Sequence, residues 1–221
     1  MTDPSSGARV DQDVAAKRPP LWRSPFFWAA IAGLILIPAI RPLTRHVPDP
    51  PAVVAQMPAF ERIDTLGKPF GSVDLKDRVY LATFLGARCD AACAARVGSL
   101  IKLQQRCQRM GVKLWLVTLS IDSGSDDTRA LAKGLERSGA LLSADARWIV
   151  LGGRAEYAGE TTRLIEAVHA AASARPGSVT DRAVLVDGDG GIRGFWPIDD
   201  DGLYEVYHRA QHVMSLRRAW R

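Results

Sequence analysis

The chain has 221 residues, 47% of them hydrophobic and 24% charged, with 29 basic against 24 acidic side chains and a formal net charge of +5. Such a composition excludes a disordered chain, a collagen-like repeat and a polytopic membrane protein. The basic residues are interspersed with acidic ones and form no stripe, which argues against nucleic acid as a partner.

Residues 1–20, MTDPSSGARVDQDVAAKRPP, show no hydrophobic period and predict a disordered tail. The stretch PFFWAAIAGLILIPAI, residues 25–40, carries no charge. At about 1.5 Å per residue it reaches about 24 Å, and Leu21, Trp22 and Leu43 extend its apolar ends toward the roughly 30 Å of a hydrocarbon core. No small-x-small site and no lipobox cysteine follow Ile40, so residues 21–43 read as an uncleaved transmembrane anchor in preference to a signal peptide. Arg9, Lys17, Arg18 and Arg23 precede the span while Arg41 and Arg45 follow it, which places the N-terminus in the cytoplasm and the body outside. Residues 44–58, with Pro48, Pro50, Pro51 and Pro58, predict an extended, semi-stiff stalk. The remainder, 59–221, has the size of one domain.

Inside that domain the hydrophobic period alternates between two and 3.6. Phe60 to Asp64 is a short strand leading into the turn residues Leu66, Gly67, Lys68 and Pro69, and Val79 to Phe84 is a strong apolar strand. Ala91 to Met110 is a helix with Cys93, Val97, Leu100, Leu103, Cys107 and Met110 on one stripe, ended by Gly111. Val112 to Ile121 is a second buried strand. Asp126 or Asp127 caps a helix running toward Gly139. Trp148 to Leu151 is a third strand, and Thr161 to Ala172 a further helix. Ala183 to Val186 and Ile192 to Trp196 form a hairpin across Asp187–Gly191. Leu203 to Arg218 closes the chain as a helix. This order predicts an α/β domain, a mixed sheet with helices on both faces.

Cys89 falls in the loop after a central strand and Cys93 one turn into the next helix, at the carboxyl end of the sheet where such folds build their sites. Four helical residues separate their Cα atoms by about 6 Å, close enough for a disulfide or for joint metal ligation. The helix N-terminus favours a thiolate at Cys89, helped by Arg88 and opposed by Asp90. A bridge closing one turn constrains the unfolded chain little, so stability is a poor reason for it and redox or metal chemistry a better one.

The run MPAFERIDTLGKPFGSVDLKDRVYLATFLGARCDAAC, followed by LVTLSID, WIVLGG and AVLVDGDGGIRGFW, resembles the Sco/SenC family of thioredoxin-like proteins from Ala52 to the last helix. The most specific element is a cysteine pair with three intervening residues directly after a strand. The resemblance implies a thioredoxin-like fold and an anchored domain of the periplasm or the intermembrane space; with the single span read above, the expected place is the bacterial inner membrane with the domain in the periplasm. It also implies a role in assembling the copper centre of cytochrome c oxidase, by delivering Cu(I) or by reducing the thiols of the copper-site subunit.

Three departures bear on that role. Asp90 and Ala94 follow the cysteines where the family has proline. Ser120, Ile121, Asp122 and Ser123 stand where it has Ser-Ile-Asp-Pro. Aligning Val184, Leu185 and Val186 with the late strand puts Val179 at the family's copper-ligating histidine. Two thiolates can hold Cu(I), but Cu(II) prefers an added imidazole.

No other histidine substitutes. His208 and His212 fall opposite the apolar side of the last helix, His169 reads as a partly buried or capping residue, and His46 belongs to the stalk. Cys107 lies about 21 Å along the helix from Cys93 and reads as a core thiol. Asp122, Asp126 and Asp127 fit helix capping better than metal binding. The glycines at 188–191 join two strands, unlike a nucleotide loop.

The expectation is therefore thiol–disulfide exchange by Cys89 and Cys93 on a protein partner, with no cofactor required. A Cu(I) carrier using the same two cysteines is the alternative, and a degenerate scaffold with a static bridge the third reading.

Overall fold

The computed structural model describes residues 22, 24–44, 50–122, 125–152, 158–172 and 179–219. In chain order its elements are α1 (Pro25–Thr44), β1 (Ala55–Gln56), β2 (Glu61–Asp64), β3 (Pro69–Gly71), β4 (Tyr80–Leu85), α2 (Ala91–Met110), β5 (Trp115–Ser120), α3 (Ser125–Arg137), β6 (Trp148–Gly152), α4 (Ala158–Ala172), β7 (Arg182–Val186), β8 (Gly191–Pro197) and α5 (Asp200–Ala219). They fall into two units, Met1–Val47 and Pro48–Arg221.

In the first unit, α1 forms over the uncharged stretch and runs past it through Arg41 and Pro42. Phe26, Trp28, Leu34, Ile35, Leu36 and Ile37 are exposed on it. Among the described residues, no helix is long and apolar enough to cross a membrane. The expected transmembrane span at 21–43 is thus found as a helix without support for crossing. The helix includes a charged residue, and its side chains from 38 onward lie outside the described residues, as does the expected tail at 1–20.

The second unit is one eight-stranded mixed sheet in the order β1-β8-β7-β4-β5-β6-β2-β3. β4, β5 and β6 are parallel neighbours, while β7 runs antiparallel to β4. Parallel strands require crossover helices, and because β4, β5 and β6 are laid down in one direction, α2 and α3 reach the same face. There Val97, Leu100 and Leu103 of α2, Leu131 and Leu135 of α3, and Val206 and Ala210 of α5 pack on Leu81, Leu116, Trp148 and Leu185. The opposite face receives Leu164 and Val168 of α4, with Met57, Phe60 and Leu75, against Phe84, Val117, Leu151 and Val184. Helices on both faces explain why β4 to β7 read as nearly continuous apolar runs. Polar side chains enclosed with the strands are hydrogen-bonded to one another: Trp148 Nε1 donates to Thr118 Oγ1 at 3.0 Å, and Thr118 Oγ1 lies 3.0 Å from Thr83 Oγ1.

Two short strands depart from the sequence reading. β1 lies within the expected stalk, where Ala55 pairs with Ile192, the Val54 amide donates to the Ile192 carbonyl, and Arg193 donates to the Pro51 carbonyl. Prolines are tolerated there because β1 is an edge strand. β3 uses Pro69, assigned above to a turn, as the edge partner of Ile63.

α3 begins at Ser125, so Asp126 and Asp127 sit in its first turn and not at the cap expected for them. Gly152 at the end of β6 has no room for a side chain, since an added Cβ would overlap Thr128 of α3.

Candidate redox site

β4 is buried along its whole length and ends at Leu85, where the chain leaves the core at Gly86 and turns through Ala87–Asp90 into α2. Two carboxylates fix that turn. Asp122 Oδ2, on the segment leaving the parallel neighbour β5, accepts the Ala87 N–H at 2.5 Å. Asp90, with extended backbone, is the N-cap of α2 and accepts the Cys93 N–H at 2.8 Å through Oδ1. The capping role expected for Asp122 is thus replaced by a clamp across two strand ends, a long-range contact that spacing does not reveal. Asp90 was weighed above only as a charge. Its place just before the apolar stripe is the usual N-cap signal.

Cys89 and Cys93 are joined by a disulfide with Cα atoms 5.1 Å apart. The two residues are unequally exposed: Cys89 is exposed, whereas Cys93 is 5% exposed and packed with Val97 against the sheet.

Antiparallel pairing of β7 with β4 brings the segment before β7 to the same end of the sheet. A 3₁₀ helix, Val179–Asp181, occupies it and is tied to α2 by an ion pair between Arg96 Nη1 and Asp181 Oδ1 at 2.6 Å. Val179, the residue aligned with a ligating histidine, therefore belongs to the segment beside the cysteine turn, and its side chain lies outside the described residues.

The remaining candidates lie elsewhere. His169 is exposed in the last turn of α4, so of the two settings expected for it the partly buried one is not found and the place at the helix C-terminus is. His208 is exposed on α5 with its ring 4.6 Å from that of Tyr204. His212 is half-buried, and its Nδ1 is buried without a hydrogen-bond partner among the described residues, so the solvated face expected for the pair describes His208 alone. His46 lies outside the described residues.

Cys107 is a buried free thiol near the far end of α2, and burial pushes it up to about 11 against the opposing influence of Arg106 and Arg147. Asp187 accepts the Asp189 and Gly191 amides and Arg193 Nε, which makes the glycine-rich segment a hairpin turn. Among the described residues no group of three or more His, Cys, Asp and Glu side chains could hold a metal. Ligation of any metal by Cys89 and Cys93 requires that the bridge be reduced.

A bridged cysteine pair at the mouth of the helix that follows a central strand of a mixed sheet defines a thioredoxin-like domain. This chain belongs to the SCO1/SenC family, whose model matches residues 49–202. Its fold is similar to that of BsSco, a member of the Sco family of cytochrome c oxidase assembly proteins in which a disulfide switch was identified, with a TM-score of 0.60, 18% identity, and coverage of 78% of this chain and 99% of that one. A SCO1/SenC family lipoprotein from Bacillus anthracis gives 0.58 at 18% identity, over 72% and 94% of the two chains. Yeast Sco1 with copper bound gives 0.56 at 14% identity, over 71% and 92%. No curated protein matches the chain.

Proposed function

We propose that the chain is a thiol–disulfide exchange protein of the SCO1/SenC family, acting on cysteines of a partner such as the copper-site subunit of cytochrome c oxidase. The observation that carries this reading is the unequal exposure within the bridge, an exposed Cys89 joined to a buried Cys93. In the reduced protein the Cys89 thiolate attacks one sulfur of a partner disulfide. The partner's S–S bond breaks, its second sulfur leaves as a thiolate and takes a proton, and a mixed disulfide remains on Cys89. Cys93, losing its proton, then attacks Cys89 Sγ, which reforms the internal bridge and releases the partner's first sulfur as a thiol. Two electrons pass to the partner, and an external dithiol resets the pair.

Trapping tests the order of events. A Cys93→Ala variant should accumulate a mixed disulfide on Cys89, while a Cys89→Ala variant should not; the reverse result assigns attack to Cys93 and contradicts the reading.

Cu(I) as cargo is the second reading, favoured by the two soft sulfurs held within one helical turn. Titration of the reduced full chain against a competing chelator separates the two. Tight 1:1 binding lost on mutating either cysteine supports a carrier, and easily competed copper removes it.

An extracytoplasmic domain tethered at the inner membrane is part of the proposal. It is supported by the bridge, which persists in oxidising compartments, and by the uncharged stretch within α1. Protease added to spheroplasts should digest the domain if it is periplasmic and spare it if it is cytoplasmic.

A further inference from the structure

Cys89 lines a cleft of about 290 Å³ between α2 and α3. Its floor is apolar, with Val97, Leu131 and Leu135 at 4% exposure or less. Its mouth is open because the side chains there are small: Ala94, Ala130 and Gly134 are exposed, and a Cβ built on Gly134 would meet nothing within 4 Å. Among the described residues lining it, Arg137 is the charged one.

We infer that this cleft receives an apolar side chain of the partner segment that presents its cysteine to Cys89. The inference rests on the exchange reading and names the kind of segment exchanged with. Cys89 itself lines the cleft, so a chain whose cysteine reaches Cys89 can lay the residues on one side of that cysteine along it. In an extended segment, residues two apart point to one face about 6.7 Å from each other. An apolar residue two positions from the partner cysteine therefore faces the cleft. Size also fits, since an apolar cavity of about 150 Å³ already admits benzene, leaving room here for leucine, methionine or phenylalanine. The cationic Arg137 at the rim favours an acidic residue beyond it. The occupant is thus an extended apolar and acidic peptide around a cysteine.

The test uses the reduced full chain and symmetric disulfides of two short peptides, Glu-Leu-Gly-Cys-Gly-Gly and Glu-Gly-Gly-Cys-Gly-Gly, with oxidised glutathione as a third oxidant. The leucine peptide should react about tenfold faster, the discrimination a hydrophobic pocket supplies. Gly134→Leu and Ala130→Leu, which fill the cleft, should bring the ratio to about one, and Lys133→Ala on the same helix should keep it. The ratio is read within each variant, so a general change in thiol reactivity cancels. Gly134→Leu favours the helix, because glycine is the poorer helix former by about 1 kcal/mol, and circular dichroism confirms the fold. If oxidised glutathione does not oxidise the pair, the exchange reading itself fails. If glutathione reacts while the peptides are not discriminated, or discrimination survives the filled cleft, the docking inference is overturned. A dimer of this chain that Gly134→Leu dissociates would assign the cleft to a second copy and overturn it equally.

Discussion

The Asp90 carboxylate accepts the backbone N–H of Cys93, so the residue that starts α2 is held by the amide of the buried cysteine and stands beside the exposed one. The cap is local, but its charge acts on the redox pair, because a carboxylate next to Cys89 disfavours the thiolate and hence the reduced form. Asp90→Ser keeps a capping oxygen and removes the charge. Its expected effect is a less reducing midpoint potential, higher by about 5 to 20 mV if the charge contributes the 0.3–1 kcal/mol usual at a helix terminus. Asp90→Ala should show the same direction plus a stability loss of about 1 kcal/mol from the missing cap. Dithiol redox titration and chemical denaturation read the two effects separately, and an unchanged or more reducing Asp90→Ser would sink the argument.

Asp122 anchors the other end of the same turn through Ala87. Removing the acceptor leaves a partly buried N–H without its charged partner, which costs about 1–3 kcal/mol. Asp122→Ala should therefore lower the urea midpoint and open the 86–90 turn to proteolysis, whereas Asp122→Asn, which retains an acceptor oxygen, should recover most of the loss.

These two contacts also mark where sequence reading stops. The bounds of α2 were legible to the residue, because its apolar stripe is buried from Cys93 to Cys107 and Gly111 adopts the left-handed conformation at its end, although Met110, expected on the same stripe, is exposed. The β7–β8 hairpin and the strands β4 and β6 were found within a residue of their expected bounds, whereas β5 begins at Trp115, three residues after the expected Val112. β1 and β3 were not legible, since each is two or three residues long, contains or follows proline, and exists through pairing with a distant strand. The cysteine pair stood out from its spacing. The Asp122 clamp joins residues 35 positions apart and follows only from the parallel pairing of β4 with β5. The cleft depends on two crossover helices reaching the same face, which fixes what Ala130 and Gly134 border.

Alkaline stability should carry the signature of buried acids. Burial raises Cys107 from 9.0 to about 11, and burial, with a smaller contribution from Asp187, raises Tyr80 beyond its ordinary range. Between pH 9 and 11 the unfolded chain has released the Cys107 proton while the folded chain retains it. The folded state then binds more protons, so stability falls as pH rises, by up to about 1.4 kcal/mol per unit for this group. Cys107→Ala should flatten the unfolding free energy across that window whatever its effect at pH 7; an unaltered slope would show that the thiol does not titrate this way.

Close packing of α3 on β6 gives a further test. Because a Cβ at Gly152 would occupy the space of Thr128, Gly152→Ala should destabilise by about 1–3 kcal/mol, the usual cost of overpacking. Thr128→Ala, which removes the hydroxyl and the methyl group that such a Cβ would meet, should relieve part of it in the double variant, and strictly additive effects would show that the two residues do not meet.

The central claim is that the Cys89–Cys93 bridge is a working redox couple. The measurement that reaches it most directly is the midpoint potential of that pair in the full chain, equilibrated with dithiol buffers. The account predicts reversible two-electron exchange at a potential above about −300 mV, with Cys107 silent. A potential below about −300 mV, with no exchange with small dithiols, would make the bridge a static link and contradict it.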